Sequence, residues 1–141
     1  MMGYRSDVAY SIRFKKQENF ALFLAEAKSH DYGKVALDEC NINHERMQIN
    51  FSAESVKWYE SFSDVQAHTA LVQQAKDWVD GDRRSYVKEY GDDMHMPETH
   101  YLLGFMFVRI GENYDDIEEE FGGLYDPDWI QLNRQLILDW D

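Results

Sequence analysis

Five histidines (His30, His44, His68, His95, His100), one cysteine (Cys40), an acidic run from Asp115 to Glu120 and an arginine closing an apolar stretch (Arg109) are the residues whose chemistry could be put to work. No two histidines show the H-x-x-x-H or H-E-x-x-H spacing that places two imidazoles on one helix face for zinc, and one cysteine cannot build a Cys/His zinc set. Met94-His95-Met96 with His100 combines thioether and imidazole, a donor set suited to copper(I). Incidental Met and His in a connecting segment account for the same residues more simply. His68 falls on the apolar stripe of a helix, where a hydrogen-bonded core residue is expected rather than a catalyst. Cys40 reads as a structural thiol. The acidic run lacks the alternating acids and central glycine of an EF-hand loop. Neither a glycine-rich phosphate loop nor a G-x-S-x-G nucleophile elbow occurs. Paired carboxylates are inevitable in so acidic a chain and carry no weight as a general acid/base signal. No catalytic residue, cofactor site or metal site is therefore assigned, and an enzyme is not expected.

The charge layout points to binding. The chain has 141 residues and a net charge of −13. Residues 1–110 hold 17 acids and 13 bases, whereas residues 111–141 hold 10 acids and Arg134 alone as a base. Such a surface is a poor partner for nucleic acid or anionic membrane, whose phosphates need Lys and Arg. A basic protein partner, or solubility alone, fits better. The residues singled out for interaction are Arg109, Glu112, Tyr114, Asp115, Asp116, Glu118 and Glu120 around one junction, with Tyr59 as a surplus aromatic. For Arg109 the plain expectation is an ion pair with Glu112 or another nearby acid. The lone cysteine, the absence of an 18-residue apolar run and the N-terminus without a signal-peptide core predict a cytoplasmic protein without a membrane span.

These residues need elements to position them. Val8, Tyr10, Ile12 and Phe14 alternate with Asp7, Ala9, Ser11 and Arg13, the period of a half-buried strand. Over about 16–30, Phe20, Phe23, Leu24 and Ala27 share one helical stripe, and Gly33 reads as its stop. Residues 34–45 read as loop. Arg46–Phe51 and Val56–Tyr59 read as two strands of a hairpin turning at Ser52–Ser55, without the Asn-Gly signature of a tight turn. Ser63 caps a second helix whose stripe runs Val65, His68, Leu71, Val72, Ala75, Trp78, Val79 and which Gly81 ends. Residues 81–99 read as a long connection, although Tyr86-Val87 could prolong the helix or pair briefly. Tyr101–Gly111 is apolar on both alternating faces, a central strand buried on both sides, and Ile117–Phe121 a further strand after an acidic turn. Residues 131–140 alternate as a strand, though Asp126-Pro127-Asp128 also suits a helix start.

The expectation is a single α+β domain spanning 1–141, with the acidic portion at 111–141: one mixed or antiparallel sheet, two helices on one face, and the order β-α-β-β-α-β-β-β. Unpaired sheet edges leave a homodimer open.

Three motifs carry a likeness. Gly3-Tyr4-Arg5-Ser6-Asp7-Val8, Val56-Lys57-Trp58-Tyr59-Glu60 ahead of Asp64-Val65-Gln66, and Phe107-Val108-Arg109-Ile110-Gly111-Glu112 with Tyr114-Asp115-Asp116-Ile117-Glu118 resemble small tailed-bacteriophage and prophage proteins whose role is not established. The resemblance implies a phage accessory protein in a bacterial cytoplasm and supplies no catalytic residue. It does not extend to residues 81–99 or beyond Gly123. The function expected is a non-enzymatic acidic protein that binds and modulates a host or phage protein, with counter-defence and DNA mimicry as special cases. The alternative is a protein that binds or sequesters a nucleotide-like ligand.

Overall fold

A five-stranded sheet in the order β2-β3-β1-β4-β5, every pairing antiparallel, carries the helices on one face. The computed structural model describes residues 3–92, 94 and 96–124. In chain order the elements are β1 (Ser6–Phe14), α1 (Gln17–Lys28), α2 (Asp31–Asp38), β2 (Asn41–Asn43), β3 (Gln48–Val56), α3 (Ser63–Tyr90), a 3-10 turn (Glu98–His100), β4 (Leu103–Gly111) and β5 (Ile117–Gly123). The α+β architecture is as expected, with three helices rather than two among the described residues. The strand expected over 131–140 lies outside the described residues.

The alternation in β1 decides which way the sheet faces. Val8, Tyr10, Ile12 and Phe14 are all buried and join Ile49, Leu103, Phe105 and Phe107 from the neighbouring strands in one core. Phe20, Phe23 and Leu24 of α1, Leu37 of α2, and Leu71, Val72 and Val79 of α3 close that core from the other side. Leu103 through Val108 are buried without a break, so β4 is the doubly buried strand its composition predicts. β3 and β4 both run antiparallel to β1, hence parallel to one another, and α3 makes the crossover between them. Buried Gln74 ties the helices together: its amide donates to the Phe23 carbonyl at 3.0 Å, and its carbonyl oxygen accepts from the Tyr32 hydroxyl at 2.6 Å.

Four local expectations are corrected. Residues 34–45 are not loop, because the two-turn helix α2 and the short edge strand β2 occupy them. Gly33 does not stop α1; it sits inside α2, where an added Cβ would fall on the Ala27 carbonyl, so close packing of α2 on the end of α1 demands glycine. The supposed hairpin is a single strand, β3, paired with β1 and β2; it ends at Val56, and residues 57–59 lie beyond it. What looked like a turn is a bulge: the register shifts opposite Ser6–Val8 and Ser55 takes a φ of 52°. That bulge is held on both sides, the Ser55 N–H donating to Asp7 at 2.8 Å and its carbonyl accepting from Arg5 at 2.7 Å.

The fourth correction concerns the long connection. Helix α3 runs past Gly81 to Tyr90 and ends at Gly91 in the left-handed conformation. Phe62, not Ser63, occupies its cap position, and no side chain caps it. Beyond Gly81 the helix is mostly exposed and loses its apolar stripe, so no period marks it in the sequence. Polar anchors hold it there: Asp82 accepts from the Leu102 N–H at 2.8 Å, and Tyr86 and Tyr90 pack edge-on against His100. Among the described residues no helix is long and apolar enough to cross a membrane.

Candidate functional site

Antiparallel pairing of β4 with β5 sets Glu118 directly opposite Arg109 on the helix-bearing side of the sheet. The intervening turn is built from backbone: the Gly111 N–H donates to the Asp116 carbonyl at 2.8 Å and the Asp116 N–H to that of Asn113 at 3.0 Å. This brings the Asp116 carboxylate back over Arg109. The Arg109 Nη atoms donate to Asp116 Oδ1 at 2.7 Å and Oδ2 at 3.1 Å, to Glu118 Oε1 at 2.6 Å and to Ser6 Oγ at 3.0 Å, while Nε donates to Glu118 at 3.0 Å. A guanidinium has five N–H donors, and all of them are used. Hydrogen bonding to Asp116 first, and to Glu118, holds the guanidinium above its ordinary pKa against the opposing effect of burial.

The chain's start completes the cluster. The Tyr4 hydroxyl donates to Asp116 Oδ2 at 2.7 Å and accepts from the Asn113 N–H at 2.9 Å. That N–H pulls the phenol down, but burial and Asp116 outweigh it and leave the phenol above its ordinary value. Gly111 lies under this junction, where a Cβ would meet both the Asp116 carboxylate and the Tyr4 hydroxyl. Glu112 accepts from the Arg5 N–H at 2.9 Å. The ion pair expected of Arg109 is thus made with other nearby acids, Asp116 and Glu118, while Glu112 is taken up by Arg5.

Beside this cluster a cavity of about 400 Å³ opens between α3 and the β4–β5 edge. Arg109, Asp116, Glu118 and Glu120 line one wall, Thr69, Val72 and Lys76 of α3 the other, and Trp58, Phe107, Tyr4 and Glu60 complete it. Lys76 is bound to Glu120 at 2.6 Å. Of the residues expected at the site, Arg109, Asp116, Glu118 and Glu120 are brought together here. Tyr114 and Asp115 stand exposed at the turn. Tyr59 is not part of it; its ring meets Phe62 edge-on and its hydroxyl lies against Gly3. Sequence reasoning missed Tyr4, Trp58, Glu60 and Lys76. Tyr4, Trp58 and Glu60 stood only inside the motifs that carry the likeness, and Lys76 only as a charge at the i+4 position from Val72.

A second polar cluster sits inside the core. Tyr10 and His68 are each 1% exposed, and the Tyr10 hydroxyl lies 2.6 Å from His68 Nδ1 and 3.3 Å from Cys40 Sγ. His68 Nε2 is 2.9 Å from the Glu39 carboxylate. A carboxylate only accepts, so Nε2 carries the proton, Nδ1 accepts from Tyr10, and Tyr10 accepts from the Cys40 thiol. Burial lowers the His68 pKa against the pull of Glu39 and raises Tyr10 well above its ordinary value. Burial likewise pushes the Cys40 thiol up to about 11, the opposite of an activated nucleophile. His68 is thus the hydrogen-bonded core residue expected of it. Among the described residues no group of three or more His, Cys, Asp or Glu could hold a metal ion.

Comparison of the chain with family models, with curated proteins and with solved structures finds no match.

Proposed function

We propose that the chain is a non-enzymatic acidic accessory protein, of the bacteriophage kind its motifs resemble, that binds a basic surface on a host or phage protein in the bacterial cytoplasm and modulates that protein. One observation carries the reading: the bases of the Arg109 flank are paired with the chain's own carboxylates. All five Arg109 donors are spent on Asp116, Glu118 and Ser6, and Lys76 is paired with Glu120. The flank therefore meets a partner with carboxylates, on a chain whose net charge is −13. Complementary charge of this kind speeds encounter and rejects like-charged competitors.

The test is capture from bacterial lysate on the immobilised full chain at low and moderate salt. A basic protein retained in stoichiometric amount, and released as salt rises, is the expected result; recovery of no stoichiometric partner overturns the reading. DNA mimicry is the special case in which carboxylates stand in for phosphates. It requires that duplex DNA compete for the captured protein, and failure to compete removes it.

The cavity gives the second reading, a small-ligand binder, a place to act. Its nucleotide-like form needs an unspent guanidinium for phosphate, and Arg109 has no donor left to give. A thermal-shift screen with nucleotides separates the two, because a ligand at 100 times its Kd adds about 2.7 kcal/mol.

A further inference from the structure

We propose that the cavity between α3 and the β4–β5 edge receives a cationic side chain, arginine in the first instance, presented by the protein partner. This rests on the acidic-binder reading and names the chemistry of one of its contacts. Four carboxylates (Glu60, Asp116, Glu118, Glu120) face two bases (Arg109, Lys76) around the same space, an excess of two negative charges. Both bases are committed at 2.6–3.1 Å to the carboxylates or to Ser6. The Glu60 carboxylate makes no ion pair among the described residues.

The floor is aromatic, which distinguishes the cavity from a mere patch of acid. Trp58 packs on Phe51, His68 and Phe107 with ring centroids 5.9, 5.8 and 6.5 Å apart, so the core fixes its ring while part of it lines the cavity. A guanidinium is planar, weakly hydrated and stacks on an indole face, whereas an ammonium is a compact, strongly hydrated charge. Arginine can then reach Glu60 with its fork while its stem lies along Val72 and Phe107. The Trp58 indole N–H bonds to no described residue and is not sealed from solvent. It can donate to a backbone carbonyl, which a peptide-borne cation brings and a free amine does not. An anion would enter against the excess charge, and a purely apolar group would leave the Glu60 carboxylate desolvated.

The experiment titrates the ¹⁵N-labelled full chain with N-acetylarginine amide, N-acetyllysine amide and the neutral isostere N-acetylcitrulline amide, with the Trp58 indole resonance assigned by W58F. Saturable shifts of that resonance are expected with the arginine compound, weaker ones with the lysine compound, and none with citrulline. Glu60→Gln should weaken binding about 3-fold, in the range of an exposed ion pair. Glu119→Gln makes the same change in net charge on the opposite face of β5 and should leave binding as it is. Equal weakening by both variants means diffuse surface charge and overturns the cavity while sparing the acidic-binder reading. Equal response to citrulline, or no saturable shift with any compound, also overturns the cavity. The acidic-binder reading stands or falls separately, on the lysate capture.

Discussion

Tyr10→Phe removes one oxygen from the centre of the protein and leaves the ring, which stacks on Phe51 at 5.2 Å and Phe107 at 6.4 Å. No cavity opens, so the loss is confined to hydrogen bonding. His68 Nδ1 then has no donor at a residue 1% exposed. A buried acceptor left unmet costs about 1–3 kcal/mol. A chain of this size loses roughly 2–4 °C of Tm per kcal/mol, so a fall of about 2–12 °C is expected. The decisive measurement is a double-mutant cycle with His68→Leu, read by urea unfolding near neutral pH. Removing His68 releases Glu39 to solvent, since its side chain is already 46% exposed. With both polar partners gone, Nδ1 no longer needs a donor, and the double variant should cost about 1 kcal/mol less than the two singles together. Strict additivity, or a Tyr10→Phe loss under about 0.5 kcal/mol, would refute the hydrogen-bonded chain and leave ring packing as the whole contribution.

The same histidine gives a pH signature. Its folded pKa is lowered, so the folded state binds fewer protons than the unfolded one; its stability is intact above about pH 6.5 and is lost as pH falls below that value. His68→Leu should flatten that part of the curve of urea midpoint against pH. Gly81→Ala should stabilise the protein by about 0.5–1 kcal/mol, because Gly81 lies mid-helix with nothing nearer to an added Cβ than Arg84 at 3.9 Å. Gly33→Ala should do the reverse and lower Tm by several degrees, since it forces α2 off the end of α1. Cys40 should react with a disulfide reagent at pH 8 at least 100-fold more slowly in the folded chain than in urea, given a folded pKa of about 11 against an ordinary ~8.5. Arg109→Met should cost about 2–3 kcal/mol by calorimetry, as the Arg109 side chain is only 12% exposed and its loss leaves Asp116 and Glu118 facing one another.

Much of the fold could be read from the chain because its long elements keep a clear pattern over most of their length. β1 alternates cleanly, β4 is apolar on both faces, and α3 keeps its stripe from Val65 to Val79. The misreadings share a cause: structure there is held by particular contacts rather than by pattern. Helix α2 has two turns and a glycine, and it exists through Gly33 packing on Ala27 and Tyr32 reaching Gln74. The Ser52–Ser55 segment carries turn residues, yet Asp7 and Arg5 hold it as a bulge within a strand. At the site, the acidic junction was legible and its wiring was not. Linear spacing favours Glu112 for Arg109, whereas the strand register supplies Glu118 and the turn supplies Asp116. Tyr10 meets Cys40 and His68 across separations of 30 and 58 residues, which no window of sequence exposes.

The central position of β1 has a consequence for synthesis. β1 pairs with β3 on one side and β4 on the other, and β4 begins 97 residues after β1 does. At about 5–20 residues per second, β1 waits roughly 5–20 s for that second neighbour. Shelter during the wait comes from next door in the chain: Phe20 and Phe23 of α1 reach Phe14 at 5.3 and 5.1 Å, and both emerge within nine residues of it. Trp78, which meets the same rings, arrives long afterwards. A nascent chain stalled before Leu103 therefore exposes one edge of its own central strand, and its demand on chaperones is set by the lateness of β4.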